Sequence, residues 1–346
     1  MKHLKKAAAA ALCAALLVTL AACGSPKLVE KQIFSMDTVM TLKAYGSKAE
    51  EGLSSAIGMI NSMNAMLDPE NEDSAVYELN HARGQSVVVR GQIVEMLQTA
   101  DTVYQRTGGA FDLTVYPLVK AWGFINGNYR VPTDEDIAAL LERVDFSALE
   151  LTGFADGSDY MLTMPDGMQL SFGAIAKGCA AQYAISALRS AGVESAIISL
   201  GGNVQTLGVK PDGTNWNVAI QDPNDTGSTV GYVSVGETAV VTSGGYQRYF
   251  EDEDGVRYHH ILDPATGAPA NSGLLSVTII CPNGTMADAL STAMFILGED
   301  DALEYWRTYG GFEMILITED ARVVATSGLY DTFQRSSENY TYGFES

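Results

Sequence analysis

Asp288, Ser291 and Thr292 fall in the run Ala287-Asp288-Ala289-Leu290-Ser291-Thr292, where Asp288 and Thr292 are i,i+4 neighbours on one helical turn. One carboxylate with hydroxyls on the same face suits a hard, oxygen-seeking ion such as Mg²⁺ better than zinc. A second segment, Phe172-Gly173-Ala174-Ile175-Ala176-Lys177-Gly178, enters a helix. Free N–H groups at a helix start accept an anionic group, and Lys177 adds a counter-charge. Its spacing is not that of a Walker A loop. The third is Tyr258-His259-His260-Ile261-Leu262-Asp263-Pro264, where a histidine beside a turn could act as a general base. Double glycines at Gly108-Gly109, Gly201-Gly202 and Gly244-Gly245 let backbone approach a ligand closely. Each pattern alone fits an ordinary turn or a solvated helix face as well as it fits a site.

The elements that must position these residues can be read from hydrophobic spacing. Leu53, Ile57, Ile60, Met63 and Leu67 predict a helix over Ala49–Leu67, stopped by Asp68-Pro69. Helical spacing recurs at 91–106, 134–144, 174–190, 285–297 and 301–309. Residues 32–44 are β-rich, and strand patterns fall at 195–200, 216–220, 229–235, 256–262, 274–281 and 312–318. Strands outnumber helices in the second half and short Gly, Asn or Asp turns join several of them. That pattern predicts an α+β arrangement rather than a doubly wound parallel sheet.

Composition narrows the function. The 346 residues are 47% hydrophobic, enough to fill a substantial core, and 42 acidic residues face 21 basic ones. Such a surface repels nucleic acid, so no nucleic-acid partner is expected. Lys2, Lys5 and Lys6 precede the apolar stretch 7–20, the pattern of a secretion signal and too short for a membrane span. The stretch ends in Leu20-Ala21-Ala22-Cys23-Gly24, which looks like a lipobox: residues 1–22 would be removed and Cys23 lipidated, with 23–30 as the tether. Losing three lysines takes the formal charge from −21 to −24. The lipid would hold the chain at the outer face of the cell membrane. Cys179 and Cys281 then remain as the only cysteines after Cys23, too few for a disulfide framework and read as buried thiols.

In this order, the segments GGAFDxTVxPLVxxWGF, GAIAKG, SLGGN, TSGGYxRYF, HILDPATGxP and ADALSTA resemble the ApbE family of flavin transferases, over about residues 34–324. The resemblance implies one two-lobed α+β domain over 31–346, of mixed, mainly antiparallel sheets with packed helices, holding FAD in the inter-lobe cleft. The implied reaction is Mg²⁺-dependent. FAD is the substrate, FMN is attached by a phosphoester to a threonine or serine of an acceptor flavoprotein, and AMP is released. Carried over by position, Met36, Ala110, Phe111, Asp112, Ser171, Lys177, His260, Ile261 and Leu262 contact the cofactor, and His260 activates the acceptor hydroxyl. Asp288, Ser291, Thr292 and the carbonyl of Ala174 match the metal ligands.

Four departures stand out against that pattern. Ser171 replaces an acid of many relatives, Ser291 an aspartate of some, and Asp37 the usual glycine, while an aromatic near Glu70 is absent. The alternatives are an FAD pyrophosphatase, in which water replaces the protein hydroxyl, a lipoprotein that only captures flavin, and a generic solute-binding lipoprotein. The lipobox yields the first testable outcome: Cys23→Ser should move the protein out of the membrane fraction and leave its precursor uncleaved, as cell fractionation and immunoblotting read directly.

Overall fold

Met40, Leu42 and Ala44 alternate with more exposed neighbours and are fully buried, which makes their strand half-buried and fixes its register in a sheet. The computed structural model describes residues 26–154 and 159–346, so the expected signal and Cys23 lie outside the described residues. The central sheet has nine strands, in the order β1 (Leu28–Ser35), β2 (Thr38–Tyr45), β6 (Ala196–Leu200), β7 (Asn203–Leu207), β10 (Ala239–Gly244), β13 (Leu274–Cys281), β14 (Glu313–Thr318), β15 (Arg322–Thr326) and β17 (Thr341–Glu345). Every neighbouring pair is antiparallel except β15 and β17. Residues 28–30, expected in the tether, already belong to β1: Glu30 stands opposite Lys43 and meets its ammonium at 3.2 Å.

Eight α-helices occur among the described residues: α1 (Ala49–Leu67), α2 (Ala75–Asn80), α3 (Gln92–Arg106), α4 (Tyr116–Ala121), α5 (Asp134–Leu141), α6 (Ala176–Ser190), α7 (Gly284–Leu297) and α8 (Glu299–Tyr309). Helices α1, α6 and α7 cover one face of the sheet. The other face is covered by a small sheet of β16 (Phe333–Arg335), β9 (Thr229–Val235) and β8 (Trp216–Gln221). Strand β14 shows the consequence. Met314 and Leu316 point to the helices, Ile315 and Ile317 to the small sheet, so a strand buried on both faces reads as an unbroken apolar run. Two further sheets, of β3 (Val87–Val89), β5 (Tyr160–Thr163) and β4 (Glu150–Gly153), and of β11 (Tyr249–Glu251) with β12 (Arg257–His259), complete the α+β domain.

The helix expected at Ala49–Leu67 occupies those residues, and the other expected helices lie within a few residues of their predicted ends. The strand expected at 256–262 shrinks to β12. His260 N still donates to Arg248 O, next to β11, at 3.1 Å, but Ile261 O accepts from Ala270 N at 3.0 Å and Leu262 bridges Pro269. The turn in which Gly267 N donates to Asp263 O at 2.8 Å thus draws Ile261 and Leu262 away from the β12 ladder. Short α2 and α4 carry too few turns to show a period and went unpredicted.

Small residues decide how α6 meets its neighbours. It buries Ala176, Gly178, Cys179, Ala180, Ala181 and Ala184, so helix backbones approach closely. A Cβ on Gly178 would lie 2.1 Å from Gly284 O and 2.6 Å from Asp288 Cβ, both on α7. Alanine would gain roughly 1 kcal/mol of helix propensity there but meet backbone it cannot displace, and overpacking of this kind costs roughly 1–3 kcal/mol. Gly178→Ala should therefore lower the urea midpoint, and a midpoint equal to wild type would show that the two helices separate freely.

Candidate functional site

The start of α6, the second turn of α7 and the end of β10 converge on Asp288. Its carboxylate is 3% exposed, and Oδ2 accepts a hydrogen bond from Gly178 N at 2.7 Å. No lysine or arginine pairs with it among the described residues, so a buried negative charge stands at the first turn of a helix with only that helix start to balance it. Three hydroxyls gather alongside. Ser243 Oγ lies 2.8 Å from Ser291 Oγ and 3.3 Å from Thr292 Oγ1, and Ser291 Oγ donates to Asp288 O at 2.8 Å.

A carboxylate without a cationic partner, amid hydroxyls, is a donor set of hard oxygens that fits a small divalent cation. No group of three or more His, Cys, Asp or Glu that could hold a metal occurs among the described residues. Ser243 was missed by sequence reasoning. The signal was present in Thr242-Ser243-Gly244-Gly245, but nothing in the sequence pairs that run with α7. Nearby on β7, opposite Val241, the buried Asn203 has an Nδ2 without a partner among the described residues, a donor that a bound ligand would satisfy.

The mounting of this centre is itself a polar network. Glu95 of α3 accepts from Gln182 Nε2 at 2.9 Å, Tyr183 OH at 2.8 Å and Thr285 Oγ1 at 3.1 Å, while Gln182 Oε1 accepts from Gly284 N at 3.0 Å. One carboxylate thus ties α6 to the first turn of α7. Cys179 lies within it, free and buried, its thiol pushed up to about 12 chiefly by burial and next by Glu95.

The two adjacent histidines differ in what their rings can do. His259 donates from Nε2 to Ala270 O at 3.1 Å and accepts from Ile261 N at Nδ1 at 3.3 Å, so both nitrogens are used. His260 donates from Nδ1 to Arg248 O at 3.1 Å, since a carbonyl only accepts, and this tautomer leaves Nε2 with a bare lone pair. Burial pushes the His260 ring down to about 3, and the charges of Lys177 and Arg248 add to that. Arg248, also unforeseen, is anchored by a hydrogen bond to Phe124 O.

The remaining expected residues occupy several separate positions. Met36 and Asp37 form the two-residue turn between β1 and β2 with φ of 48° and 58°, a left-handed conformation that glycine would adopt without strain, and Met36 N donates to Asn64 Oδ1 at 2.9 Å. Phe111 is buried in the core below Ala110. Asp112 accepts from Thr114 N, Thr114 Oγ1 and Phe146 N at 2.7, 2.6 and 3.0 Å, so its side chain braces its own loop. Ser171 N donates to Leu113 O at 3.0 Å and its Oγ accepts from Gly173 N at 3.2 Å, linking that loop to the approach to α6. Ala174 packs against the helix-side core, Ile261 is buried in it, and Leu262 joins Leu118, Trp122 and Phe124 in a separate cluster. At Glu70, where the aromatic is absent, the Tyr116 hydroxyl arrives from another segment and donates to the carboxylate.

By sequence and by its mainly antiparallel α+β fold, the chain matches one class of protein, the flavin transferases. The model of the ApbE family matches residues 36–316. The FAD:protein FMN transferase of Treponema pallidum is 36% identical over 301 residues, covering 84% of this chain and 83% of its own length. That of Klebsiella pneumoniae is 32% identical over 295 residues, covering 84% and 90%. Among solved structures, the ApbE protein of Thermotoga maritima superposes with a TM-score of 0.78 at 29% identity over 90% of this chain and 97% of that one. The apo form of Pseudomonas stutzeri flavinyl transferase ApbE gives 0.79 at 28% over 91% and 99%. This chain belongs to the ApbE family.

The buried imidazole makes a prediction about pH. An unfolded histidine titrates near ~6.5, whereas His260 stays neutral down to about 3 in the fold. The unfolded state therefore binds more protons below the unfolded value. The stability that His260 contributes is full above it and is lost as pH falls toward the folded value. In NMR the His260 ring should hold its neutral shifts between about pH 8 and pH 5, and His260→Gln should flatten the acid loss of the urea midpoint. A ring titrating near the unperturbed value would contradict this placement.

Proposed function

We propose that this chain is a Mg²⁺-dependent FAD:protein FMN transferase, anchored by lipid on Cys23 at the extracytoplasmic face of the cell membrane. The observation that carries the reading is the meeting of sequence-distant segments at one helix start, where Gly178 of α6 holds Asp288 of α7 and Ser243 of β10 meets the hydroxyls of Ser291 and Thr292. His260, with Nε2 unengaged, supplies the base. The matched relatives bear the name of this activity, which supports it further.

FAD carries an anionic pyrophosphate, and the chain is strongly acidic, so binding relies on local positive groups. Lys177, Arg248 and the N-terminus of α6 supply them. Asp288, Thr292, Ser291 and the Ala174 carbonyl would hold Mg²⁺, which when bound neutralises charge on the pyrophosphate oxygens. With one carboxylate the protein alone holds the ion weakly, so metal and FAD are expected to bind interdependently. The flavin would lie in a cleft bordered by Met36, the Ala110–Asp112 loop and Ser171. His260 Nε2 takes the proton of the acceptor hydroxyl as its oxygen bonds to the FMN phosphorus, and the bond from that phosphorus to the AMP phosphate oxygen breaks. Anionic FAD beside His260 raises its affinity for that proton, offsetting Lys177 and Arg248.

The test incubates FAD, Mg²⁺ and a flavoprotein acceptor fragment and reads flavin fluorescence on the denatured acceptor. His260→Ala should lose roughly 10²-fold or more in transfer, the range for a general base, while FAD affinity changes little. His259→Gln should change transfer far less. Asp288→Ala should abolish transfer and the calorimetric coupling between Mg²⁺ and FAD. Free FMN with an unlabelled acceptor would identify a pyrophosphatase instead, and intact FAD a binding protein.

A further inference from the structure

A cleft of about 660 Å³ opens on a different part of the domain, lined by α2 and the turn after it, α4, α5 and residues 164–169. Four cations reach it from separate segments: Arg83, Lys120, Arg130 and Arg143, against two carboxylates, Asp136 and Asp166. The chain as a whole has 42 acidic and 21 basic residues, so this local excess runs against its composition. None of the four pairs with a carboxylate among the described residues. Two are steadied by uncharged groups instead: Arg130 Nε donates to Ala121 O at 3.0 Å, and Lys120 Nζ stands 4.8 Å from the Tyr116 ring centroid.

The floor is apolar, with Leu79, Met164 and Met168 buried beneath the cations. Arg83, Arg130 and Arg143 are exposed along an open rim rather than gathered around an enclosed point. A small dianion would keep most of its water there, whereas carboxylates spaced along an extended chain would each meet a cation. Methionines in the floor adapt to varied side chains. The cleft wall is tied to the segment that leads to α6. Asn80 in its wall holds Leu170 through both amide atoms, at 2.9 and 2.8 Å, and Leu170 leads directly into Ser171.

We propose that this cleft docks an acidic, extended segment of the acceptor flavoprotein, and so orients a protein whose approach the acidic surface otherwise opposes. The partner's identity as acceptor rests on the transferase reading; the cleft's preference for an acidic chain does not.

The test uses the mature protein and a fluorescein-labelled peptide of alternating Glu and Ser, followed by anisotropy, with a Gln and Ser peptide as control. The acidic peptide should bind saturably and weaken roughly tenfold between low and physiological salt, and the control should not bind. Arg83→Glu with Arg143→Glu should lose about tenfold or more in peptide affinity, the loss expected from reversing contacting charges, while Arg143→Lys retains it. FAD quenching titrations should be unchanged in the double variant, which also checks its fold, and Arg83→Gln with Arg143→Gln should show an intermediate loss. Equal binding of both peptides, or no effect of the charge reversals, would overturn the proposal. Displacement of the peptide by equimolar AMP would do so too, assigning the cleft to small organic anions. Peptide binding in a protein that fails to bind FAD would instead refute the transferase reading and leave the cleft standing.

Discussion

The close crossing of α6 and α7 is the feature that fixes everything around it. Gly178 and Gly284 remove the side chains that would hold the helices apart, and Gly178 N donates to Asp288 across the gap. That single contact satisfies a helix-start N–H, places a carboxylate at the positive end of α6 and sets the face from which Ser291 and Thr292 reach Ser243. The Glu95 network holds the same crossing from the other side, so the centre is fixed by backbone packing and by hydrogen bonds together.

Electrostatics works against this protein globally and for it locally. An excess of acids repels anionic ligands at long range, and the attraction must come from a few cations held close to where they act. Lys177 sits on the first turn of α6 and Arg248 is tied by its side chain to Phe124 O and by its carbonyl to His260. Burial chiefly keeps the His260 imidazole neutral before any ligand arrives, and the same two cations that favour an anion add to that. One arrangement thereby sets both charge and tautomer.

Two of the four non-glycine residues with left-handed backbone among the described residues share the first hairpin. Met36 and Asp37 occupy left-handed backbone conformations without being glycine, and the next strand begins with Thr38, whose side chain lies against Gly201 where a Cβ would come within 2.4 Å of Thr38 Oγ1. The first hairpin and the Gly201-Gly202 turn are thus locked together, which carries Met36 on a rigid support.

Elements and chemical types were legible along the chain. Leu53 through Leu67 specify α1 to its ends because a long amphipathic period and Asp68-Pro69 leave little freedom, and β9 and β13 fill their predicted spans because long apolar runs between turns do the same. Asp288, Thr292, Lys177 and His260 stood out as candidates because their motifs are local. Folding alone settled which residues meet. Ser243 joins Ser291 across 48 positions, Arg248 fixes the tautomer of His260, and Asp112 spends its carboxylate on Thr114 and Phe146. Strand β12 ends early because a turn competes for its backbone, and α2 and α4 are too short for a period to show. Spacing along the chain encodes the face a side chain takes on its own helix or strand. Partners across the fold depend on packing between elements, and no local pattern records that.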